Sequence, residues 1–233
     1  MKSSDIIHGL HKTGLYGILD RCRDYAAFTR ASLLQSFSQY GEDLFLRDYF
    51  GDRKGYYIDI GGNHPFSLSN TYLLYRMGWS GLVVEPIQRL CAKHRRYRPR
   101  DIQVNAAVGD MGGDLTFYEM IPSCLSTCDP EEVEYALSVR SAKLLRKYSV
   151  PVVTVADLYH THLAPRTISL LSIDTEGHDM AVLRGNNWDA IRPEIVICEA
   201  NDESMKAEVS GYLAKYGYDC CNILGCNLIF MIR

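Results

Sequence analysis

Two acidic clusters in this chain sit where an acid could do chemistry. The first is Tyr57-Ile58-Asp59-Ile60-Gly61-Gly62-Asn63-His64-Pro65. An apolar run carries an acid near its end, enters a two-glycine turn and leads toward a helix. Glycine lets the backbone approach a ligand closely and take positive φ. The second is Ser172-Ile173-Asp174-Thr175-Glu176-Gly177-His178-Asp179, with four ionisable residues in six positions. Asp179 is well explained as an acidic cap for the helix Met180-Ala181-Val182-Leu183. Asp174, still on the strand, is not, and Glu176 and His178 follow it closely. Between the clusters, Glu85-Pro86 ends a second apolar run 26 residues after Asp59. An acid there can accept hydrogen bonds from both ribose hydroxyls of a nucleoside. A fourth candidate is Cys198-Glu199-Ala200-Asn201. Asp174 with Glu199 and Asn201 could hold a hard cation such as Mg through oxygen ligands. The alternative for Asn201, or for Asp202, is a helix N-cap.

The turn chemistry discriminates between cofactors. A dinucleotide site needs G-x-G-x-x-G so that the pyrophosphate can sit on a helix N-terminus. Here the third glycine position holds Pro65 or Phe66. An acid just before the turn would repel a phosphate. It suits a cofactor with cationic groups, such as S-adenosylmethionine with its ammonium and sulfonium. Two other readings stay open: a nicotinamide-dependent oxidoreductase, and a non-catalytic cofactor-binding module.

Alternating strands and helices must position these residues. Short apolar runs at 56–60, 81–85, 102–108, 168–174 and 194–199 read as strands. Two later runs, 218–223 and 228–232, are predicted to pair as an antiparallel hairpin at the sheet edge. Helices are predicted at 69–77, ended by Gly78, and at 87–97, ended before Pro99. The strands are nearly all apolar, as in a parallel sheet covered on both faces. In such sheets ligands bind beyond the carboxyl ends of the strands, where Asp59, Glu85, Asp174 and Glu199 fall. Two further strands, 114–118 and 150–155, flank an insertion at 119–149. It is predicted to hold a loop, 122–127, and a basic helix, 131–148, carrying Arg140, Lys143, Arg146 and Lys147. Residues 1–37 read as a helical N-terminal extension that could serve as a lid or a homodimer surface. Residues 38–233 form one domain, with the insertion expected over the acceptor.

Composition excludes several classes. With 25 Lys+Arg, 28 Asp+Glu and a net charge of −3, the chain lacks the charge a nucleic-acid binder needs. Its 11% aromatics argue against disorder. No secretory signal and no apolar run of about 18 residues is read, so the expected location is cytoplasmic, without a membrane span. The eight cysteines are then expected as free thiols. None forms a C-x-x-C element, which argues against structural zinc.

The ordered set of motifs resembles the FkbM-type methyltransferases, over about Ser38 to Arg233. The matching stretches are Ser38-Gln39-Tyr40-Gly41-Glu42-Asp43, 57–65, Ser69-Asn70-Thr71, Gly81-Leu82-Val83-Val84-Glu85-Pro86, Asn105-Ala106-Ala107-Val108-Gly109-Asp110, 173–179 and Val182-Leu183-Arg184-Gly185. The resemblance implies an α/β fold: a class I (Rossmann-like) methyltransferase domain with a seven-stranded, mostly parallel sheet and one antiparallel edge strand. It implies S-adenosylmethionine as cofactor and O-methylation of a hydroxyl, usually on a sugar in a glycan or glycosylated metabolite. By carry-over, Asp59, Gly61, Gly62 and Asn63 line the methionine end and Glu85 holds the ribose. Asn105 and Ala106 flank the adenine, and Asp174 borders both cofactor and reaction site. The matching motifs add Gln39, Tyr40, Thr71 and Pro86 to the expected cofactor-binding residues. His64 departs from the usual glycine-rich turn and has no assigned role. A sugar hydroxyl is a poor nucleophile, so a general base is expected. The candidates are His178 and Glu176, with Asp174 orienting one of them or the substrate.

Overall fold

Period-two burial along the first strands shows how this sequence builds its core. In the computed structural model, residues 15–233 are described. On β1 (Tyr56–Ile60) and β2 (Ser80–Val84), Ile58, Ile60, Leu82 and Val84 point to one face, while Tyr57 and Val83 point to the other. Alternation of side chains across a strand produces this split. Both faces are covered. Helices α1 (Leu15–Leu34), α2 (Glu42–Phe50), α3 (Tyr72–Arg76) and α4 (Gln88–Tyr97) come early in the chain. Leu46, Phe50 and Leu74, from α2 and α3, pack with Trp79 against the Tyr57 face. The later helices α6 (Val155–Leu158), α7 (Asp179–Arg184) and α8 (Glu203–Ala214) pack against the Ile58 face with Trp188.

The main sheet has seven strands in the order β3-β2-β1-β7-β8-β10-β9. Here β3 is Ile102–Val104, β7 Ile168–Ile173, β8 Ile195–Glu199, β9 Tyr218–Leu224 and β10 Asn227–Ile232. The first five in this order are parallel, and β10 runs antiparallel to both its neighbours. The reversed strand is therefore one in from the edge, which corrects the expected antiparallel edge strand. The reason lies in composition. In β10 the run Asn227–Phe230 is buried, whereas β9 exposes Asp219, Cys220 and Cys221 and tolerates the edge.

The run 102–108, expected as one strand, divides at Asn105. Its second half, β4 (Ala107–Val108), joins a separate sheet, β4-β6-β5. In that sheet β5 is Gly113–Ile121 and β6 is Lys143–Val153, paired antiparallel. The predicted basic helix 131–148 is thus overturned. Helix α5 spans Pro130–Val139, capped by Asp129, whose carboxylate accepts from the Glu131 N–H at 2.8 Å. Lys143, Arg146 and Lys147 lie on a strand, because that stretch pairs with Tyr118–Ile121.

Helix α1 docks through a polar anchor. Asp24 is buried and accepts from Lys93 Nζ at 2.6 Å and from Tyr97 at 3.1 Å, and its Oδ1 lies 3.0 Å from His64 Nε2. His64, unassigned from sequence, thus faces the N-terminal helix. Burial lowers its pKa against the pull of Asp24.

Candidate active site

A cavity of about 330 Å³ opens beyond the carboxyl ends of β1, β2, β7 and β8. Its floor is where two strand ends meet. Asp174 N–H donates to Ile60 O at 3.0 Å, and the Gly61 and Gly62 N–H groups donate to Val84 O at 3.0 and 3.1 Å. Gly61 has φ +80°, and a Cβ there would lie 1.8 Å from Asp174 O, so glycine is required. At Gly62 a Cβ would fall 2.3 Å from Val83 Cγ1, which makes its role one of backbone packing.

Glu85 organises the rim. Its Oε2 accepts from Asn63 N–H at 2.8 Å and its Oε1 from Ile87 N–H at 2.6 Å. Burial pushes its pKa up to about 7, opposed by these two N–H groups. Each oxygen keeps a second lone pair for a ligand hydroxyl. Asn105 Nδ2 braces the same corner, donating to Glu85 O at 2.7 Å and Pro86 O at 2.8 Å. From below, His94 Nε2 lies 3.0 Å from Asn63 O and 3.3 Å from Gly62 O. Burial, and then nearby Arg98, lower His94 to about 3, so the ring is neutral and donates to these carbonyls. His94 carries no motif in the sequence; it is one helical residue among several basic ones.

The opposite wall is acidic. One carboxylate oxygen each from Asp174, Glu176 and Glu199 lies within 4.8 Å of the others. Burial raises all three, and neighbouring carboxylates add to it: Asp174 goes well above the usual range, with Glu199 and Glu176 beside it, Glu176 to about 8, with Glu199 beside it, and Glu199 to about 7, with Asp179 beside it. Arg140, from just beyond α5, reaches Glu176 Oε2 at 3.3 Å. Cys226 Sγ donates to Glu199 Oε1 at 3.2 Å, while Glu199 Oε2 is buried without a partner. Asp179 is committed elsewhere. It accepts from Thr175 N–H and Oγ1 at 3.3 and 2.7 Å and from Glu199 N–H at 3.3 Å, tying the two strand ends together.

Of the residues expected at the cofactor, Gln39, Tyr40, Gly61, Asn63, Glu85, Pro86, Ala106 and Asp174 line the cavity. So do Glu176, His178, Glu199 and Asn201. Asp59, Gly62, Thr71 and Asn105 do not. Asp59 is the main correction. Its carboxylate accepts a short hydrogen bond from Thr71 Oγ1 and lies 3.7 Å from the buried Arg98 guanidinium. Arg98 also holds Asp101 at 2.7 Å, Tyr57 Oη at 2.9 Å and Thr71 Oγ1 at 2.8 Å. The acid read as facing a cationic ligand is therefore spent on an internal cation, and Thr71 with it. For a metal, the carboxylates that converge are Asp174, Glu199 and Glu176, and Asn201 also lines the cavity. Among the described residues no hydrogen bond links Asp174 to His178 or to Glu176, the two groups it was expected to orient if not the substrate.

The insertion supplies part of the lining. Ser123, Cys124, Leu125, Ser126 and Arg140 line the cavity. Ser123 Oγ lies 3.2 Å from Asn63 Oδ1, and Thr127 Oγ1 donates to Glu176 O at 2.7 Å. These bonds tie the insertion to both clusters.

The family model described as the methyltransferase FkbM domain matches residues 59–220, more than half of the chain. The chain belongs to the FkbM methyltransferase family, whose cofactor is S-adenosylmethionine. A search of curated proteins returned no match. Two solved structures share 9% and 12% identity with it. One is provisionally assigned as an RNA methyltransferase, from Pyrococcus horikoshii, with TM-score 0.44 over 83% of each chain. The other is a TehB-like SAM-dependent methyltransferase from Corynebacterium glutamicum, with TM-score 0.44 over 92% of this chain and 99% of that one. These likenesses are too distant to carry an argument about the site.

Proposed function

We propose that this protein transfers the methyl group of S-adenosylmethionine to a hydroxyl, on a sugar of a glycan or glycosylated metabolite. The observation that carries the reading is the convergence of Asp174, Glu176 and Glu199 on one wall of the cavity that Glu85 rims. The residues fit the cofactor. Val84, Pro86, Ala106 and Val108 offer an apolar slot, Glu85 offers acceptors to ribose hydroxyls, and the acidic wall offers charge to a cation. Asp174 takes over the electrostatic part first given to Asp59.

When bound, S-adenosylmethionine supplies a methyl group activated by its sulfonium. The chain's own residues then bind, orient and deprotonate. Asp174 and Glu199 would hold the cofactor's cationic end, whose charge would lower their raised pKa values. Glu176, held near neutral pH by burial, suits a general base, since proton transfer is most effective when the pKa matches the working pH. His178, which also lines the cavity, is the other candidate. One of these two groups would take the proton of the acceptor hydroxyl as its oxygen is methylated. Ser123, Ser126 and Arg140 are placed to hydrogen-bond acceptor hydroxyls.

A second reading, favoured by the buried unpartnered Glu199 Oε2, is a divalent cation on Asp174, Glu199 and Asn201 that acidifies the hydroxyl. Turnover unchanged in excess EDTA removes it.

Thermal shift with S-adenosylhomocysteine and with NADH tests the cofactor, since only a ligand bound to the native state stabilises it. Stabilisation by S-adenosylhomocysteine alone is expected, together with a one-methyl mass gain on a member of a glycan panel. Stabilisation by NADH, or binding with no transfer to any acceptor, overturns the reading. His178→Ala is expected to keep cofactor affinity and lose turnover if His178 is the base; near-normal turnover assigns the proton to Glu176.

A further inference from the structure

Four carboxylates line the cavity, those of Glu85, Asp174, Glu176 and Glu199. Among the described residues lining it there is one lysine or arginine, Arg140. The fold holds this cation at the acidic wall, because both ends of the insertion helix meet the second cluster. At the start of α5, Thr127 Oγ1 donates to Glu176 O at 2.7 Å, and a Cβ on Gly177 would fall 2.8 Å from Glu132 Cγ. Just past its end, Arg140 reaches the Glu176 carboxylate. The Arg140 side chain keeps 31% of its surface exposed, against 15% for Glu176.

Only part of this guanidinium is used. Its Nη1 donates to Glu176 Oε2 at 3.3 Å, longer than the roughly 2.7–2.9 Å of a charge-assisted bond. That is its one side-chain hydrogen bond among the described residues; the guanidinium carbon also lies 5.4 Å from the Tyr135 ring centroid. Other arginines here are more fully engaged. Buried Arg98 donates from all three of its nitrogens, and exposed Arg233 grips Asp219 with two. Balancing Glu176 thus leaves most of the Arg140 fork for a ligand. A planar fork of N–H donors matches a carboxylate, which it can hold through two parallel bonds. A phosphate dianion suits the cavity less, since it would bring a second negative charge among four carboxylates.

We infer that Arg140 binds the carboxylate of a ligand in this cavity. The inference rests on the methyl-transfer reading for the two ligands that can bring one. These are the cofactor, through its amino-acid end, and an acceptor whose sugar is a uronic acid.

Dissociation constants for the full chain and for Arg140→Gln test it, with two pairs of probes. One pair is S-adenosylhomocysteine and methylthioadenosine, which lacks the amino-acid end; the other is glucuronate and glucose. If the cofactor brings the carboxylate, Arg140→Gln weakens S-adenosylhomocysteine at least about tenfold, as for one lost hydrogen bond to a charged group, and leaves methylthioadenosine unchanged. If the acceptor brings it, the same loss falls on glucuronate and spares glucose. Arg140→Lys keeps the charge without the fork and should fall between the parent and Arg140→Gln. A merely structural role has the opposite sign: without Arg140 the wall is more negative, so it holds the ammonium group of S-adenosylhomocysteine at least as tightly. Adding Glu176→Gln to Arg140→Gln removes the acid left unpaired, and the loss confined to the carboxylate probes should persist. Unchanged affinity for both S-adenosylhomocysteine and glucuronate overturns the inference. So does an equal loss for methylthioadenosine or glucose, or tighter binding of glucose 6-phosphate than of glucuronate. A parent that ignores S-adenosylhomocysteine yet binds glucuronate through Arg140 would sink the methyl-transfer reading and leave the carboxylate site standing.

Discussion

The ends of β1 and β7 look alike in sequence and differ in physics. Ile58-Asp59-Ile60-Gly61-Gly62 and Ser172-Ile173-Asp174-Thr175-Glu176-Gly177 each carry an acid into a glycine turn, on neighbouring strands. Asp59 is answered from within: Arg98, fully buried, reaches it and Asp101 and stacks near Tyr57 and Tyr75. Asp174 has two further carboxylates for neighbours and, among the described residues, no internal cation paired with it; Arg140 goes to Glu176. A buried charge that the fold has neutralised is architecture. One left short of countercharge is a candidate for binding or catalysis, and it costs stability.

The sharpest break of this comparison is to remove the cation at the first end. Arg98→Met should leave Asp59 and Asp101 buried and unpaired, costing about 3–5 kcal/mol. Urea or thermal unfolding measures it. A loss below about 1 kcal/mol would mean that these acids shed their charge with little penalty and that the contrast is false.

At the second end the same logic reverses sign for stability. Asp174→Asn removes a carboxylate from a repelling cluster, so the melting temperature should hold or rise. Turnover should fall by at least about a hundredfold, the scale expected when a charge that acts on the reacting groups is lost. Unchanged turnover would move Asp174 out of the reacting groups. A large drop in melting temperature would show that it, too, is architecture.

Much of this was legible in the sequence, for identifiable reasons. The parallel strands were readable because burial on both faces makes them continuous apolar runs, and Glu85, Asp174 and Glu199 because strand ends in such sheets face the ligand crevice. The fate of Asp59 was not, because Arg98 lies 39 residues further on and only packing brings it beneath the turn. The helix expected over 131–148 failed at Lys143, where long-range pairing with Ile121 outweighed local pattern. His94 and Arg140 were invisible for the same cause: each reaches its partner across a distance that spacing does not encode.

The smallest effect sharpens the comparison most, because it needs no mutation. Glu85, Glu176 and Glu199 have pKa values raised to about 7, 8 and 7 in the folded protein, while the unfolded chain titrates near 4.5. Between these limits the native state binds more protons than the unfolded one. Stability conferred by the protonated acids is then fully present below about pH 4.5 and declines as pH rises through 7 to 8. Melting temperature without ligand should accordingly fall between pH 6 and 8. Glu176→Gln should flatten that slope, because its site no longer loses a proton there. Saturating S-adenosylmethionine should flatten it also, by bringing positive charge to the wall. A slope that Glu176→Gln leaves untouched would place the titrating groups elsewhere, and the acidic wall would lose its claim to be the unneutralised partner of the Asp59–Arg98 end.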